Sequence, residues 1–300
     1  MTLVRPQRVY LDTSRLIELA KDDEGPECRR LKHKIHQEAA VVVLVTYDHV
    51  AEFCAYTNRH KALEQARFVD TLKPLWLPRG MGIYHREAYS EYLRLLGNEP
   101  LPPAEVRASL LEAERQWLGD FPCLPQRVIP AQLIACLDKP NAFSQEVCYA
   151  HLCEKHNPQM HAFSQNKEAF AQGRNWLHSR DISEPDWDAI FHSHWIQDLT
   201  EDPLTVPLEE AIKLCDNAQL KRMPAWRTRF GIERIWQADK MTKPKAGDLM
   251  DMVHVAALPY VHHFVADAQM ASLITQAKLG PDSAKVHTTI KQCLEALSPW

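Results

Sequence analysis

Five acidic residues fall where the carboxylates of an α/β protein can converge: Asp12, Glu52, Asp248, Asp251 and Asp267. Carboxylates at close range repel one another, and a divalent cation removes that repulsion. A site made only of oxygen ligands selects hard ions such as Mg²⁺ or Mn²⁺. One such ion can activate water, and two can stabilise the attacking and leaving oxygens of a phosphodiester. The residue types therefore point to metal-assisted hydrolysis of a phosphate ester.

Two of these acids lie at the ends of predicted strands. An apolar run at residues 9–11 predicts a strand that ends at Asp12, and a second run at residues 261–266 predicts a strand that ends at Asp267. Functional groups of open parallel sheets gather outside the carboxyl ends of the strands. If the two strands are neighbours, Asp12 and Asp267 meet at one edge of the sheet.

The other three acids lie on predicted helices. The β-branched run at residues 41–45 predicts a buried parallel strand, and Glu52 lies in the helix that follows it. Asp248 and Asp251 are three residues apart, so they share one face near the start of their helix.

Strand–helix units at both ends of the chain predict an α/β fold with one parallel sheet that is interrupted in the sequence. The interruption divides the chain into a discontinuous domain of residues 1–95 and 240–300 and a mainly helical insertion of residues 96–239. Helices are predicted at residues 103–118 and 166–178, and no strand is predicted in the insertion.

Each acid also has a purely structural interpretation. An aspartate after a strand is often a helix cap or a turn residue, which applies to Asp12, Asp248 and Asp267. Glu52 taken alone fits a solvated helix face. The metal-site prediction depends on the conjunction of all these acids at strand ends and helix starts.

Four segments together resemble the ordered acidic pattern of the PIN domain family. They are Val-Tyr-Leu-Asp12-Thr-Ser, then Val-Thr-Tyr-Asp-His-Val-Ala-Glu52-Phe, then Gly-Asp248-Leu-Met-Asp251-Met-Val-His-Val-Ala-Ala-Leu-Pro-Tyr, and finally Phe-Val-Ala-Asp267. The motifs are short, so their order and their strand-end context give the resemblance its weight.

The resemblance implies a PIN-like parallel sheet flanked by helices and a metal-dependent nuclease site that usually acts on RNA. Asp12 matches the first-strand aspartate of the family, Glu52 its helix glutamate and Asp267 its last acid. Either Asp248 or Asp251 matches the remaining helix aspartate, and both registers stay open.

Thr13 or Ser14 matches the hydroxyl that often accompanies the first acid of the family. The resemblance covers residues 1–95 and 240–290. It departs from the pattern at His262-His263, where relatives with a similar Leu-Pro-Tyr segment often have an acid. These histidines are either supporting groups behind the metal ligands or unrelated to the site.

A basic and aromatic segment leads into the Asp248 helix. Residues 221–245 contain eight basic and two acidic residues, with Trp226, Phe230 and Trp236 between them. Such a stretch suits a phosphate backbone and stacked bases. The alternative is a solvated helix face with buried aromatic rings. The candidate substrate-binding residues are Thr13, Ser14, Arg227, Arg229, Lys243 and Lys245.

Two further histidine-containing patterns have competing interpretations. Cys148, His151, Cys153 and His156 are types that bind zinc, but their spacing fits helix packing better than a recognised zinc module. The pair His192 and His194 is predicted to be exposed in a loop.

The composition sets the broad class. Of 300 residues, 45% are apolar and 25% charged, which is ordinary for a globular protein, and the formal net charge is −4. No apolar run suits a signal peptide or a membrane span. The sequence therefore predicts a cytoplasmic protein with free thiols and no membrane partner.

The leading hypothesis is a nuclease dependent on Mg²⁺ or Mn²⁺, an endoribonuclease whose partner is RNA. Asp12, Glu52, Asp251 and Asp267 form its catalytic set, and Asp248 is a supporting or substitute ligand. Two alternatives stay open: a non-catalytic nucleic-acid or protein-binding module on a PIN scaffold, and a small-molecule phosphoesterase. A homodimer or an inhibitory protein partner is compatible with all three.

Overall fold

The fold is built on a five-stranded sheet. A computed structural model describes residues 5–55, 58–118, 142–153, 172, 181–201, 204–238, 248–280 and 283–297. The strands are β1 (Gln7–Leu11), β2 (Val41–Val45), β3 (Leu75–Trp76), β4 (His263–Val265) and β5 (Lys285–His287). All neighbouring strands are parallel, in the order β3-β2-β1-β4-β5. The predicted α/β class and the parallel sheet interrupted in the sequence are confirmed.

Helices connect and cover these strands. In chain order they are α1 (Thr13–Lys21), α2 (Pro26–His36), α3 (Tyr47–Cys54), α4 (Arg59–Thr71), α5 (Gly80–Leu95), α6 (Leu110–Leu118), α7 (Phe143–Cys153), α8 (Glu184–Thr200), α9 (Leu208–Cys215), α10 (Pro224–Ala238), α11 (Asp248–Val255), α12 (Ala268–Gln276) and α13 (Ile290–Ala296). Short 3₁₀ turns lie at Leu220–Arg222 and Leu258–Tyr260.

Alternate residues of the strands face the two sides of the sheet, which divides the interior into two layers. Val9 and Leu11 of β1 belong to a core that includes residues of α1 to α4, α6, α7 and α13. Tyr10, between them, belongs to a second core with residues of α10, α11 and α12. The sheet thus has helices on both faces, the usual arrangement of parallel sheets.

A third core lies among helices of the chain between β3 and β4. Tyr84 of α5, Trp195 of α8, Trp226 and Phe230 of α10 are all at most 1% exposed in it. Ile232 of helix α10 also belongs to the second core, the one that contains Tyr10 of β1. Helix α10 therefore links the helical region to the layer that contains the predicted acidic helix.

Two local predictions for this region need correction. The loop predicted around His192 and His194 is wrong, because both residues lie inside α8, which a Ser183 capping box begins. Helix α6 begins at Leu110 rather than at residue 103, since Arg107 instead forms a backbone bridge with Trp76 of β3. The helix predicted at residues 166–178 falls almost entirely outside the described residues.

Glu87 of α5 is buried against the start of α10. Its carboxylate accepts hydrogen bonds from the N–H groups of Ala225 (2.9 Å) and Trp226 (3.2 Å) and from the hydroxyl of Tyr260 (2.9 Å). Burial raises the pKa of Glu87 from 4.5 to about 7 in spite of these hydrogen bonds. The carboxyl group is therefore more easily protonated in the folded chain than in the unfolded chain.

This shift predicts a specific pH dependence of stability. Because protonation favours the folded state, the contribution of Glu87 is complete below its ordinary pKa and is lost as the pH rises through 7. Between pH 5 and pH 8, the wild type should lose about 2–3 kcal/mol of unfolding free energy more than Glu87→Gln. Urea denaturation at both pH values measures the difference, with exposed Glu209→Gln as the control. Equal pH dependence of Glu87→Gln and wild type would contradict this account.

Candidate metal centre

Asp12 and Asp267 follow the neighbouring strands β1 and β4, so the condition for their meeting at one edge of the sheet is met. The N–H of Asp12 donates to the carbonyl of Val265 at 2.9 Å, which aligns the end of β1 with the end of β4. Both side chains also cap helices: Oδ1 of Asp12 accepts from the N–H of Ser14 (2.5 Å) and Oδ1 of Asp267 from that of Met270 (2.7 Å). The capping and metal-site interpretations are compatible, because each cap uses Oδ1 and fixes the direction of the carboxylate.

Asp251 lies where the negative charges are densest. Burial, together with the charges of Asp267, Asp12 and Asp248, raises its pKa from 3.8 to about 7 against the opposing effect of His254. These charges act on Asp251 because strand ends and the start of α11 bring the four aspartates together. Asp251, one of the two registers left open for α11, is within range of the charges of the other acids, and Asp248 is 8% exposed.

Glu52 of α3 lies in the same region, but its carboxylate forms an ion pair with the side chain of His254. Its Oε2 accepts from Nε2 of His254 at 2.8 Å. Burial opposes ionisation, but the charge and the hydrogen bond of His254 outweigh it and lower the pKa of Glu52 to about 2. Asp12 is also close: burial raises its pKa, His254 lowers it and Glu52 raises it.

His254 is the central residue that the sequence interpretation missed. It lies three residues after Asp251 on α11 and is 3% exposed. Burial alone would lower its pKa, but the charge and hydrogen bond of Glu52, with the charges of Asp48 and Asp12, raise it to about 9. The spacing from Asp251 places both on one helix face, and that signal was available in the sequence.

A chain of buried hydrogen bonds continues from His254 into the sheet. Its Nδ1 lies 2.6 Å from the hydroxyl of Tyr10, which lies 3.3 Å from Oγ1 of Thr46. Thr46 in turn donates its N–H to Nδ1 of His49 at 3.0 Å, and Nε2 of His49 donates to the carbonyl of Leu11 at 2.9 Å. Burial and the charge of His254 lower the pKa of His49 to about 3, so this ring is neutral. The chain fixes Glu52 relative to β1.

The start of α5 positions α11. The N–H of Gly80 donates to Oδ2 of Asp48 at 2.7 Å, and a Cβ at Gly80 would lie only 2.0 Å from the carbonyl oxygen of Val253. Any side chain at Gly80 would therefore displace the helix that contains Asp251 and His254. Asp48 is a further buried carboxylate near the site, and its charge acts on His254.

The hydroxyl-bearing candidates differ in their surroundings. Thr13 is buried, and its hydroxyl approaches Glu52 closely enough to lower the pKa of that carboxylate. Oγ1 of Thr13 nevertheless has no hydrogen bond of normal geometry within the described part of the chain. Ser14 is exposed; its backbone N–H donates to Asp12, and its hydroxyl also helps to lower the pKa of that carboxylate.

Arg229, a described basic candidate, is paired with a residue other than the five acids. Arg229 forms an ion pair with Glu233 (3.1 Å) and stacks on the rings of Tyr84 and Trp226. Arg227 is exposed on α10. Lys243 and Lys245 lie outside the described residues.

The prediction that the aromatic residues of this segment stack on bases is wrong. Trp226, Phe230 and Trp236 are 0%, 1% and 3% exposed, because α10 is covered on its apolar faces by other helices. The alternative of buried aromatic rings is the correct one. Arg227 remains the exposed basic candidate within the described part of α10.

The other described histidine and cysteine candidates have partners that are not the five acids. His262 is exposed, with Nδ1 accepting from the N–H of Arg8 at 2.8 Å. His263 is buried, and the charged groups that lower its pKa are His287, Lys285 and His262, with no carboxylate among them. In the alternative zinc pattern, Cys148 accepts a hydrogen bond from Arg59, and His156 lies outside the described residues.

The acidic residues offer the donor type that a hard divalent cation prefers. Asp12, Asp251 and Asp267 offer only oxygen atoms, and their mutual repulsion is the kind that such an ion relieves. The buried Thr13 hydroxyl beside Glu52 supplies another oxygen without a well-formed hydrogen bond. Glu52 differs from the expectation of a free ligand, because His254 already neutralises it.

Comparisons of the chain with protein-family models, curated proteins and solved structures give no match. The functional interpretation therefore depends on the geometry and chemistry of the site. None of the helices in the described ranges has both the length and the apolar character needed to cross a bilayer.

Proposed function

We propose that the protein is a PIN-like, metal-dependent nuclease that hydrolyses phosphodiester bonds, an endoribonuclease acting on RNA. The proposal rests on one observation: Asp251 is partly buried within range of the charges of Asp267, Asp12 and Asp248, and burial together with these charges raises its pKa to about 7. Such crowding of carboxylates is costly without a cation. Perturbed acids clustered at the carboxyl ends of parallel strands are typical of a functional site.

The acidic side chains have different roles in this proposal. Asp12, Asp251 and Asp267 would hold Mg²⁺ or Mn²⁺, with Asp248 in support, and the bound ion would supply activated water and stabilise charge on the phosphate. Helix caps orient Asp12 and Asp267. Glu52, ionised throughout the physiological range, would accept a hydrogen bond from the water or join the ligands while His254 holds its Oε2.

RNA as the substrate is proposed on the family resemblance. Arg227 of α10 is the described basic candidate with an exposed side chain, and a phosphate contact by this residue would be a rim interaction. The ion pair of Arg229 with Glu233 argues for a structural role of that arginine. We therefore propose Arg227, but not Arg229, as a phosphate-binding residue.

The test is cleavage of a labelled single-stranded RNA by purified protein with Mn²⁺ or Mg²⁺, compared with EDTA. Asp12→Asn should lose cleavage, because the variant lacks one ligand charge but keeps the helix cap. The matched control is Asp22→Asn at the exposed C-terminal end of the same helix, which should cleave normally.

Each outcome distinguishes the three hypotheses. Full activity of Asp12→Asn would exclude the assigned site. RNA binding that is unaffected by EDTA, with no cleavage at any metal concentration, would favour the binding module. Metal-dependent hydrolysis of small phosphate esters without cleavage of RNA or DNA would favour the phosphoesterase.

A further inference from the structure

A second group of potential metal ligands contains no carboxylate. Nδ1 of His263 and Nε2 of His287 are 2.9 Å apart, and these two atoms and Sγ of Cys293 all lie within 4.8 Å of one another. His263 and Cys293 are 1% and 2% exposed, and His287 is partly exposed. Neither histidine is involved in the hydrogen-bond chain of the acidic centre.

The topology explains why these three residues meet. In the register of β4 and β5, His263 lies opposite Lys285 and Val265 opposite His287. Side chains two residues apart share a face of the sheet, so His263 and His287 are diagonal neighbours on the face of Val265. Helix α13 packs on this face and inserts Cys293 into the same core as Val265.

We propose that His263, His287 and Cys293 form a zinc site that ties the edge strand β5 and helix α13 to β4. Two imidazole nitrogens and one thiolate are the donor types that Zn²⁺ prefers, and this mixture differs from the all-oxygen set of the acidic centre. The fourth position would be filled by water, because the partly exposed His287 lies on the edge strand.

The distances suit a tetrahedral ion after a small adjustment. Two nitrogens bound to the same tetrahedral zinc are about 3.3 Å apart, and a nitrogen and a sulfur about 3.6 Å. The two histidine nitrogens at 2.9 Å need to separate slightly, and the sulfur needs to approach. Rotations about the side-chain torsions of His263, His287 and Cys293 can provide such movements without a change in the backbone.

Metal ions bind the neutral form of imidazole. The 2.9 Å contact between Nδ1 of His263 and Nε2 of His287 is a hydrogen bond, so at least one of these two nitrogens lacks a proton. The competing account is an ordinary hydrogen-bonded histidine pair that packs against a buried thiol. The two accounts differ in whether the thiol becomes a ligand.

Cobalt substitution tests the proposal directly. One equivalent of Co²⁺ added to the metal-free protein should produce a thiolate-to-metal charge-transfer band. Added Zn²⁺ should displace the Co²⁺ and remove the band. The acidic centre contains no thiol, so its binding of Co²⁺ cannot produce this band. Loss of nuclease activity, or failure of the proposed nuclease function, has no bearing on the result.

Matched variants assign the ligands. Cys293→Ser and His287→Gln should remove the band, whereas Cys28→Ser, another buried cysteine of the same core, and His262→Gln should retain it. Zn²⁺ should raise the melting temperature of the wild type by several degrees but not that of folded His287→Gln. No charge-transfer band in the wild type, or a band that survives Cys293→Ser, would overturn the proposal. The wild-type spectrum decides it even if a variant does not fold.

Discussion

Replacing Asp251 by asparagine is expected to reduce metal-dependent RNA cleavage by roughly a thousandfold, because a catalytic ion contributes several kcal/mol and about 1.4 kcal/mol corresponds to a factor of ten. The same substitution should make the metal-free protein more stable. Loss of activity together with a gain in stability identifies a residue that is retained for function at the expense of folding.

The gain in stability follows from the crowding of charges. Above pH 7, Asp251 is ionised beside Asp12, Asp248 and Asp267 in a partly buried position. Asparagine removes that charge, so the free energy of unfolding at pH 8 should rise by about 1–3 kcal/mol after allowance for solvent screening. Since the folded pKa is raised, the advantage should shrink as the pH falls from 7 towards 4.

Urea denaturation in EDTA, combined with the cleavage assay, measures both effects. Asp188→Asn, an exposed aspartate of α8, is the matched control and should change the stability by less than about 0.5 kcal/mol. A variant of Asp251 that loses activity and is also less stable than the wild type would show that the carboxylate supports the fold. The crowding account would then be wrong.

The second large effect is expected at His254. The variant His254→Gln should lose about 2–4 kcal/mol of unfolding free energy at pH 8, because it leaves the carboxylate of Glu52 in a partly buried place without its cation. Glu52→Gln should cost less. In Glu52→Gln, burial favours the neutral form of His254, so the imidazole can lose its proton. In His254→Gln, Glu52 stays ionised at pH 8 and keeps its charge without a partner.

A double-mutant cycle isolates this pair. In the double variant Glu52→Gln/His254→Gln, two amides replace the ion pair, so its stability should be close to that of Glu52→Gln alone. The coupling energy should therefore exceed about 2 kcal/mol, well above the value for exposed pairs. Urea denaturation in EDTA provides the four stabilities. Additive losses in the two single variants would mean that the 2.8 Å contact contributes little to the fold.

Short-range patterns in the sequence predicted the main elements of the sheet. The β-branched run at residues 41–45 matches strand β2, and strand β4 is only shorter than its predicted range. These predictions succeed because periodicity and β-branching act within a few residues. Asp12 and Asp267 were placed correctly for the same reason, since each ends an apolar run and begins a helix.

The helical region was less predictable. Ser183 and Asp186 form a capping box, yet the polar residues after them suggested a loop around His192 and His194. The burial of Trp226 and Phe230 depends on α5 and α8, which approach α10 only in the folded chain. A basic segment with interleaved aromatic residues has the same local pattern whether its rings face solvent or a neighbouring helix.

The sequence by itself determined which residues could form strands, begin helices and offer carboxylates at strand ends. Only the tertiary structure decided that β1 and β4 are neighbours, that Asp251 lies within range of the charges of the other acids and that His254 neutralises Glu52. It also brought His263, His287 and Cys293 together across two strands and a helix. The physical reason is that strand propensities and caps depend on neighbours along the chain, whereas charge pairing and ligand convergence depend on packing between distant segments.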